Sequence, residues 1–245
     1  MSALAHHVAL VCETESVSFG EVRSFCAALQ KQVTQDFKPT WDIDATIETF
    51  RKGEHIPAGY WHVRICDATK TPTAAGYHLD ADGKPYSVVR FDPHWRLNAS
   101  HETLEMLADP LGTKTIEGPP PPQAQDRLPK LERVLYLVEI CDPCQSDRFA
   151  YETNGELVSD FVTPHYYHPN GATGVQYSFL GNVTTPHTVL EGGYVTFFDP
   201  VDQCCYQVIW KKGGKAEIRK FDEIKSTNGK NLRELVDTAV RGASV

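Results

Sequence analysis

The chain has 245 residues, enough for one large domain or two small ones with a sizeable hydrophobic core. Its 24 Lys and Arg residues against 32 Asp and Glu residues give a formal net charge of -8. This balance argues against nucleic acid as a partner, because neutralising phosphates requires a basic surface. No apolar run approaches the length of a membrane span, so we expect no membrane partner either.

The N-terminus and the cysteines bear on the cellular compartment. The first residues lack the basic segment of a signal peptide and are predicted to form a strand. Seven cysteines, an odd number, favour free thiols in a reducing compartment, so a cytoplasmic location is expected. The pair Cys141 and Cys144 has no second pair at finger spacing and does not by itself indicate a four-cysteine zinc site.

The first 91 residues show the periodicities of one helix and several strands. Strands are predicted at residues 7–12, 41–50, 60–66 and 86–91, and a turn is predicted at Asp82-Gly83, before the last of them. After the first strand, a helix is predicted from Phe19, because Ser18 and Glu21 form a capping box and apolar residues follow with helical spacing. Pro39 is expected to end this helix.

A second helix, Asn98–Ala108, carries the motif on which the functional prediction depends. Its start signal is Asn98 or Ser100, and Asp109 followed by proline is the stop signal. His101 and Glu105 are four residues apart, so they are expected on one helix face, where both side chains could bind one ion.

The sequence of this motif is His-Glu-x-x-Glu, which differs by one residue from the His-Glu-x-x-His of zinc peptidases. Glu102, beside His101, stands where a general base is needed. A His/Glu pair is a harder ligand set than a His/His pair, so manganese, iron and calcium become candidates beside zinc. The competing interpretation is a solvated helix surface, since residues 104, 106 and 107 already form a buried stripe.

The order strand, helix, three strands and motif helix resembles the N-terminal half of zincin-type metallopeptidases. The string Ser-His-Glu-x-x-Glu-Met-x-x-Asp-Pro is also similar to a group of uncharacterised bacterial and phage proteins of that superfamily. The resemblance covers about the first 140 residues. It implies a zincin-like α+β fold, in which a twisted mixed sheet lies on a backing helix and an active-site helix. It further implies an antiparallel edge strand that pairs with substrate, for which Tyr86–Phe91 is the expected equivalent.

The third metal ligand is left open by the sequence. Asp109 is the nearest candidate, although the spacing of the longer zincin motif falls on Leu111. Another pattern in the superfamily takes a downstream Glu, and Glu139 and Asp142, both at the end of an apolar strand, fit that pattern. Glu139 is favoured over Asp142, because strand alternation puts Val138 and Ile140 on the opposite face. Weaker candidates are the histidines at positions 78 and 94.

The rest of the chain is predicted to be β-rich, with strands that include residues 134–140 and 174–179 and with Cys204 and Cys205 as strand residues. Residues 118–130, with four consecutive prolines, are expected to form a stiff exposed excursion, and Lys230–Val240 a final helix. We expect a zincin-like metal-helix domain at residues 1–143 and a β-rich subdomain at 144–245, with one continuous domain as the alternative. Tyr166 is a candidate for stabilising an oxyanion, and an aromatic core patch is its competing interpretation.

The resemblance and the motif together predict a metal-dependent hydrolase, expected to be a peptidase. It would act on a peptide or protein substrate with a metal-bound water and Glu102 as general base, using a divalent metal, zinc by expectation. His101 and Glu105, with Glu139 or Asp109, would be the ligands. The alternative is a non-catalytic binding or assembly protein on a degenerate metallopeptidase scaffold.

Overall fold

The computed structural model describes residues 5–69 and 75–221. The chain divides into two compact units, each discontinuous in sequence. The first unit contains Met1–Leu111 and Ala150–Ser159, and the second contains Gly112–Phe149 and Asp160–Val245. The division at residue 111 lies upstream of the sequence-based boundary at 143. No helix within residues 5–69 and 75–221 is long and apolar enough to cross a membrane.

The molecule is a mixed α+β protein with few helices and many strands. The described residues contain twelve strands, named β1 to β12 in chain order: His6–Cys12, Ala45–Arg51, Tyr60–Cys66, Gly76–Ala81, Lys84–Arg90, Thr115–Gly118, Val134–Leu137, Tyr151–Thr153, Glu156–Val158, Tyr194–Asp199, Cys204–Lys211 and Lys215–Phe221. Three α-helices are named in the same way: α1 Phe19–Lys31, α2 Lys38–Trp41 and α3 Trp95–Ala108.

The first unit is built on a five-stranded mixed sheet in the order β2-β1-β3-β5-β4. The first four of these strands run parallel to one another, and β4 pairs antiparallel with β5 at one edge. The hairpin between β4 and β5 turns at Asp82-Gly83, where both residues have positive φ, of 53° and 74°. The sequence signal for this turn is therefore confirmed.

The predicted edge strand is wrong. Residues 84–90 form β5, which pairs with β3 on one side and with β4 on the other. Because both of its edges are used, β5 has no backbone groups left to pair with a substrate strand. The antiparallel edge strand is β4, at residues 76–81, which the sequence analysis had not recognised as a strand.

Helix α1 begins as predicted. The side chain of Ser18 accepts a hydrogen bond from the backbone N–H of Glu21, and the Glu21 carboxylate accepts one from the Ser18 N–H. The predicted end at Pro39 is wrong. The chain passes through a π-helical stretch, Gln32–Phe37, into α2, where Pro39 occupies the first turn and leaves no donor unsatisfied. Residues 41–44, predicted as strand, are thus outside β2.

Helix α3 is longer than predicted and begins at Trp95, one turn before Asn98. Its N-cap residue, His94, makes no capping hydrogen bond through its side chain, which explains why no start signal was visible there. Most of its residues are buried, polar ones included, so α3 is not a half-exposed amphipathic helix. The interpretation of the motif as a solvated surface is therefore wrong.

A buried hydrogen-bond network connects α3 to the rest of the first unit. The Ser100 hydroxyl donates to Gln32 Oε1 at 2.8 Å and accepts from the Ser159 backbone N–H at 2.9 Å. Gln32 Nε2 donates in turn to the Ser159 carbonyl at 2.9 Å. Since Gln32 follows α1 directly, these bonds fix the motif helix against the backing helix and the 150–159 segment.

The second unit contains a five-stranded antiparallel sheet in the order β12-β11-β10-β7-β6. Cys204 and Cys205 lie in β11, as expected. The predicted strand at 174–179 is reduced to a bridge between Val162 and Ser178. The proline-rich excursion is not fully exposed, because Pro120 and Pro121 are buried. The predicted helix Lys230–Val240 lies outside the described residues.

We predict that Ser100→Ala lowers the free energy of unfolding by about 1–3 kcal/mol, because it leaves buried polar groups without hydrogen-bond partners. Urea denaturation of the purified protein measures this loss. Ser24→Ala, at an exposed position of α1, is the matched control and should change stability by less than about 0.5 kcal/mol. Equal values for the two variants would contradict a structural role of the network.

Candidate metal site

Two of the three motif side chains of helix α3, those of Glu102 and Glu105, are buried, and that of His101 is largely buried. His101 Nε2 lies 3.2 Å from Glu105 Oε2, as expected for residues one helical turn apart. The side chain of Glu105 is 1% exposed and that of His101 is 14% exposed. Glu102 is buried beside them. A helix that turns two carboxylates inward must neutralise or bind them, since an isolated buried charge is costly.

A further histidine, His78 of β4, lies against the two carboxylates. Its Nδ1 is 3.5 Å from Glu102 Oε2 and 3.7 Å from Glu105 Oε2. The sheet register explains its direction. His78 is the cross-strand partner of Ser87, whose hydroxyl donates to the Glu102 carbonyl of α3. Partners of this kind point to the same sheet face, so His78 faces the motif helix.

Sequence reasoning ranked His78 only as a weak candidate. The available signal was the alternation of residues 77–80, in which Tyr77 and Leu79 share one face and His78 and Asp80 the other. This alternation does not show which of the two faces is buried, because that depends on the strand with which β4 pairs. His94, the other weak candidate, is exposed at the N-cap of α3.

Gly76, two residues before His78, allows the close approach of α3. A Cβ atom at this position would lie 2.8 Å from both Cγ and Oε1 of Glu102. Real Cβ atoms essentially never make contacts this short, so any larger residue must displace the Glu102 side chain. The glycine therefore leaves the space that the side chain of the proposed general base occupies.

The donor atoms suit a divalent metal ion. Two ligands, each about 2.1 Å from a tetrahedral zinc ion, are about 3.4 Å apart. The separations from Glu105 Oε2 to the two imidazole nitrogens, 3.2 and 3.7 Å, lie on either side of this value. Imidazole and carboxylate groups are the usual ligands of zinc, iron and manganese in proteins. His101 and Glu105 thus form a ligand pair that fits the ion implied by the motif.

The two predicted third ligands belong to different units of the chain. Asp109 is buried at the C-cap of α3, and its backbone N–H donates to the Glu105 carbonyl. Glu139 belongs to the second unit and is also buried. The predicted strand ends at Leu137, so Glu139 follows β7 in irregular backbone and the alternation argument does not apply to it. Both residues remain predictions as ligands.

Tyr166 lies in a short 3₁₀-helix of the second unit and is fully buried. Its ring packs edge-on against Tyr167, with the centroids 5.1 Å apart, and next to His187. Burial raises the pKa of the Tyr166 hydroxyl well above its ordinary value, and neighbouring Cys144 and Asp142 raise it further. The hydroxyl therefore stays protonated. This environment is the aromatic cluster named as the competing interpretation.

No protein-family model matches the chain, and comparisons with curated proteins and with solved structures find no significant match. The resemblance to zincins therefore rests on the motif and on the order of the elements. The structure adds a geometric observation: Glu102 and Glu105 of α3 and His78 of β4 lie close together and are buried, and His101 beside Glu105 is 14% exposed.

We predict that Gly76→Ala destabilises the protein by about 1–3 kcal/mol, because the new methyl group overlaps the Glu102 side chain. The same substitution should cost at least about 0.5 kcal/mol less in a Glu102→Ala background, where the overlap is gone. Gly20→Ala is the control, since its Cβ would meet nothing closer than 3.8 Å. Additive effects in this double-mutant cycle would show that the two side chains do not compete for space.

We predict that His187 makes stability depend on pH. Burial lowers the pKa of its imidazole to about 4, against about 6.5 in an unfolded chain. The unfolded state therefore binds the proton first, and stability falls as the pH drops from about 6.5 to about 4. His187→Asn, which tolerates the local φ of 61°, should weaken this dependence in denaturation measured across that range. Exposed His165→Asn should leave it unchanged.

Proposed function

We propose that the first unit is a metal-dependent hydrolase that cleaves peptide bonds. The observation that carries this proposal is the burial of two carboxylates and an imidazole, from Glu102, Glu105 and His78, beside a partly exposed His101. Such a group is costly to assemble unless its charges are compensated or bind a cation. A site that combines ligands with an adjacent carboxylate is what hydrolysis requires.

The order of the elements supports a peptidase. An antiparallel edge strand, β4, precedes the motif helix, and a backing helix, α1, follows the first strand. This is the arrangement that the resemblance to zincin-type metallopeptidases implies. The edge strand is β4 and not the predicted Tyr86–Phe91, and His78 of β4 belongs to the same group of side chains as Glu102 and Glu105.

When bound, a divalent ion lowers the pKa of a water molecule and polarises the carbonyl group of the substrate. The side chains of this protein orient the water and the substrate carbonyl for the reaction. Glu102 accepts the proton of the attacking water on a carboxylate oxygen and delivers it to the leaving amine. Gly76 leaves room for the Glu102 side chain, and His78 Nδ1 lies 3.5 Å from Glu102 Oε2.

A non-catalytic protein on the same scaffold is the second candidate, and the degree of burial favours it. Structural metal sites are closed, whereas catalytic sites keep an open position. Glu105 and His78 are nearly inaccessible, and only His101, at 14%, has appreciable exposure. On this account the ion would stabilise the first unit, and Glu102 would serve only to neutralise charge.

Metal content and peptide hydrolysis, measured on the same samples, separate the two functions. We expect protein purified without added metal to hold about one ion per chain and to cleave a mixed peptide library. Glu102→Gln should keep the ion and lose activity by about 100-fold or more, because general-base catalysis contributes about that factor. Glu15→Gln, an exposed carboxylate of the same unit, is the control.

Full activity of Glu102→Gln would overturn its role as base. Retained metal without any hydrolysis by the wild-type protein would favour the structural site. A wild-type protein that binds no metal would contradict both accounts, since each depends on an ion at Glu105.

A further inference from the structure

The sheet of the first unit has a second face, opposite helix α3. The hydroxyl of Ser87 in β5 donates to the Glu102 carbonyl of α3, so the odd-numbered residues of β5 face the helix. Because side chains alternate along a strand, the even-numbered residues of β5 and their cross-strand partners in β3 and β4 face the other way. A pocket of about 380 Å³ lies on this second face, and its volume is within the range of small-molecule sites.

The sheet register gathers aromatic rings around this pocket. Tyr86 of β5 is the cross-strand partner of His62 in β3, and Tyr77 of β4 is the partner of Val88, two residues further along β5. Tyr60 precedes His62 by two residues and therefore lies on the same face. Residues 60, 62 and 86 are half-buried, so their rings keep accessible surface. Such rings bind flat apolar groups through stacking and edge contacts.

Cationic side chains set the charge of the pocket. The described residues that line it include Arg64 and Lys84 and no carboxylate, although the chain has a formal net charge of -8. The pocket therefore attracts an anion.

Arg64 is held in a fixed orientation by Glu13. The Nε and Nη2 atoms of Arg64 donate to the two carboxylate oxygens of Glu13 at 2.8 and 2.6 Å. A guanidinium has five N–H donors, so this pair leaves donors for a second planar anion. The Arg64 side chain is 42% exposed, which makes these donors accessible from solvent.

We propose that this pocket binds an aromatic carboxylate. The carboxylate pairs with the N–H groups of Arg64 that Glu13 leaves, and the ring lies against Tyr77 and Tyr86. Exposed Lys84 adds to the attraction for the anion. None of the residues that line the pocket belongs to the proposed metal site, so this binding is independent of the proposed function.

NMR titration of the isotope-labelled protein with 3-phenylpropionate tests the proposal. A ligand of this size should bind with a dissociation constant on the order of 1 mM, and the shifted amide signals should be concentrated in β3, β4 and β5. Two matched probes separate the contributions. 3-Phenylpropionamide keeps the ring without the charge, and propionate keeps the charge without the ring. Each should bind at least about threefold more weakly.

A peptide probe distinguishes two sources of the same chemistry. N-acetyl-Gly-Phe presents the ring and the carboxylate at the end of a peptide. Binding at least about tenfold tighter than that of 3-phenylpropionate would identify a peptide C-terminus as the ligand, and equal or weaker binding a free acid.

Substitutions test the assigned residues. Arg64→Gln should weaken the binding of 3-phenylpropionate by about tenfold or more, because it removes a charged hydrogen-bond donor. Tyr86→Leu should weaken it by about threefold, through loss of the ring contact. Arg23→Gln, at an exposed position of α1 in the same unit, is the matched control and should leave the affinity unchanged.

Affinity of folded Arg64→Gln within about twofold of wild type would overturn the assignment. Equal binding of the acid and its amide by the wild-type protein would do the same, and this comparison holds even if Arg64→Gln fails to fold. Shifts confined to regions outside β3, β4 and β5 would also contradict the proposal. Loss of metal or of hydrolytic activity has no bearing on these outcomes.

Discussion

The structure of the first unit depends on the burial of charged and polar groups between helix α3 and strand β4. Glu102 and Glu105 both point inward, and His78 meets them from the strand. Burying two carboxylates in an apolar interior costs several kcal/mol unless a cation or hydrogen-bond donors compensate them. Neighbouring residues leave space for these three side chains and fix the helix that carries two of them. We therefore interpret the three side chains as a functional group.

Several features of the scaffold serve this arrangement. Gly76 makes room for Glu102, and the network of Ser100, Gln32 and Ser159 fixes the helix next to His101. The antiparallel turn at Asp82-Gly83 places β4 at the sheet edge, where His78 can face α3. Each of these features depends on one or a few residues, and its effect is visible only in the contact that those residues make in the folded protein.

Local signals predicted part of this molecule, and non-local pairing determined the rest. The capping box of α1 and the Asp-Gly turn were predicted correctly, because neighbouring residues satisfy their hydrogen bonds. The i, i+4 spacing likewise placed His101 beside Glu105. The strand order was missed, because parallel pairing joins residues far apart in sequence, and with it the contribution of His78.

Anomalous scattering from crystals of protein purified without added metal tests the central claim most directly. Data collected on both sides of the zinc absorption edge locate the ion independently of any assay. Our account predicts a single peak about 2.0–2.2 Å from donor atoms of Glu105 and His101. A structure with no peak at Glu105 would contradict it.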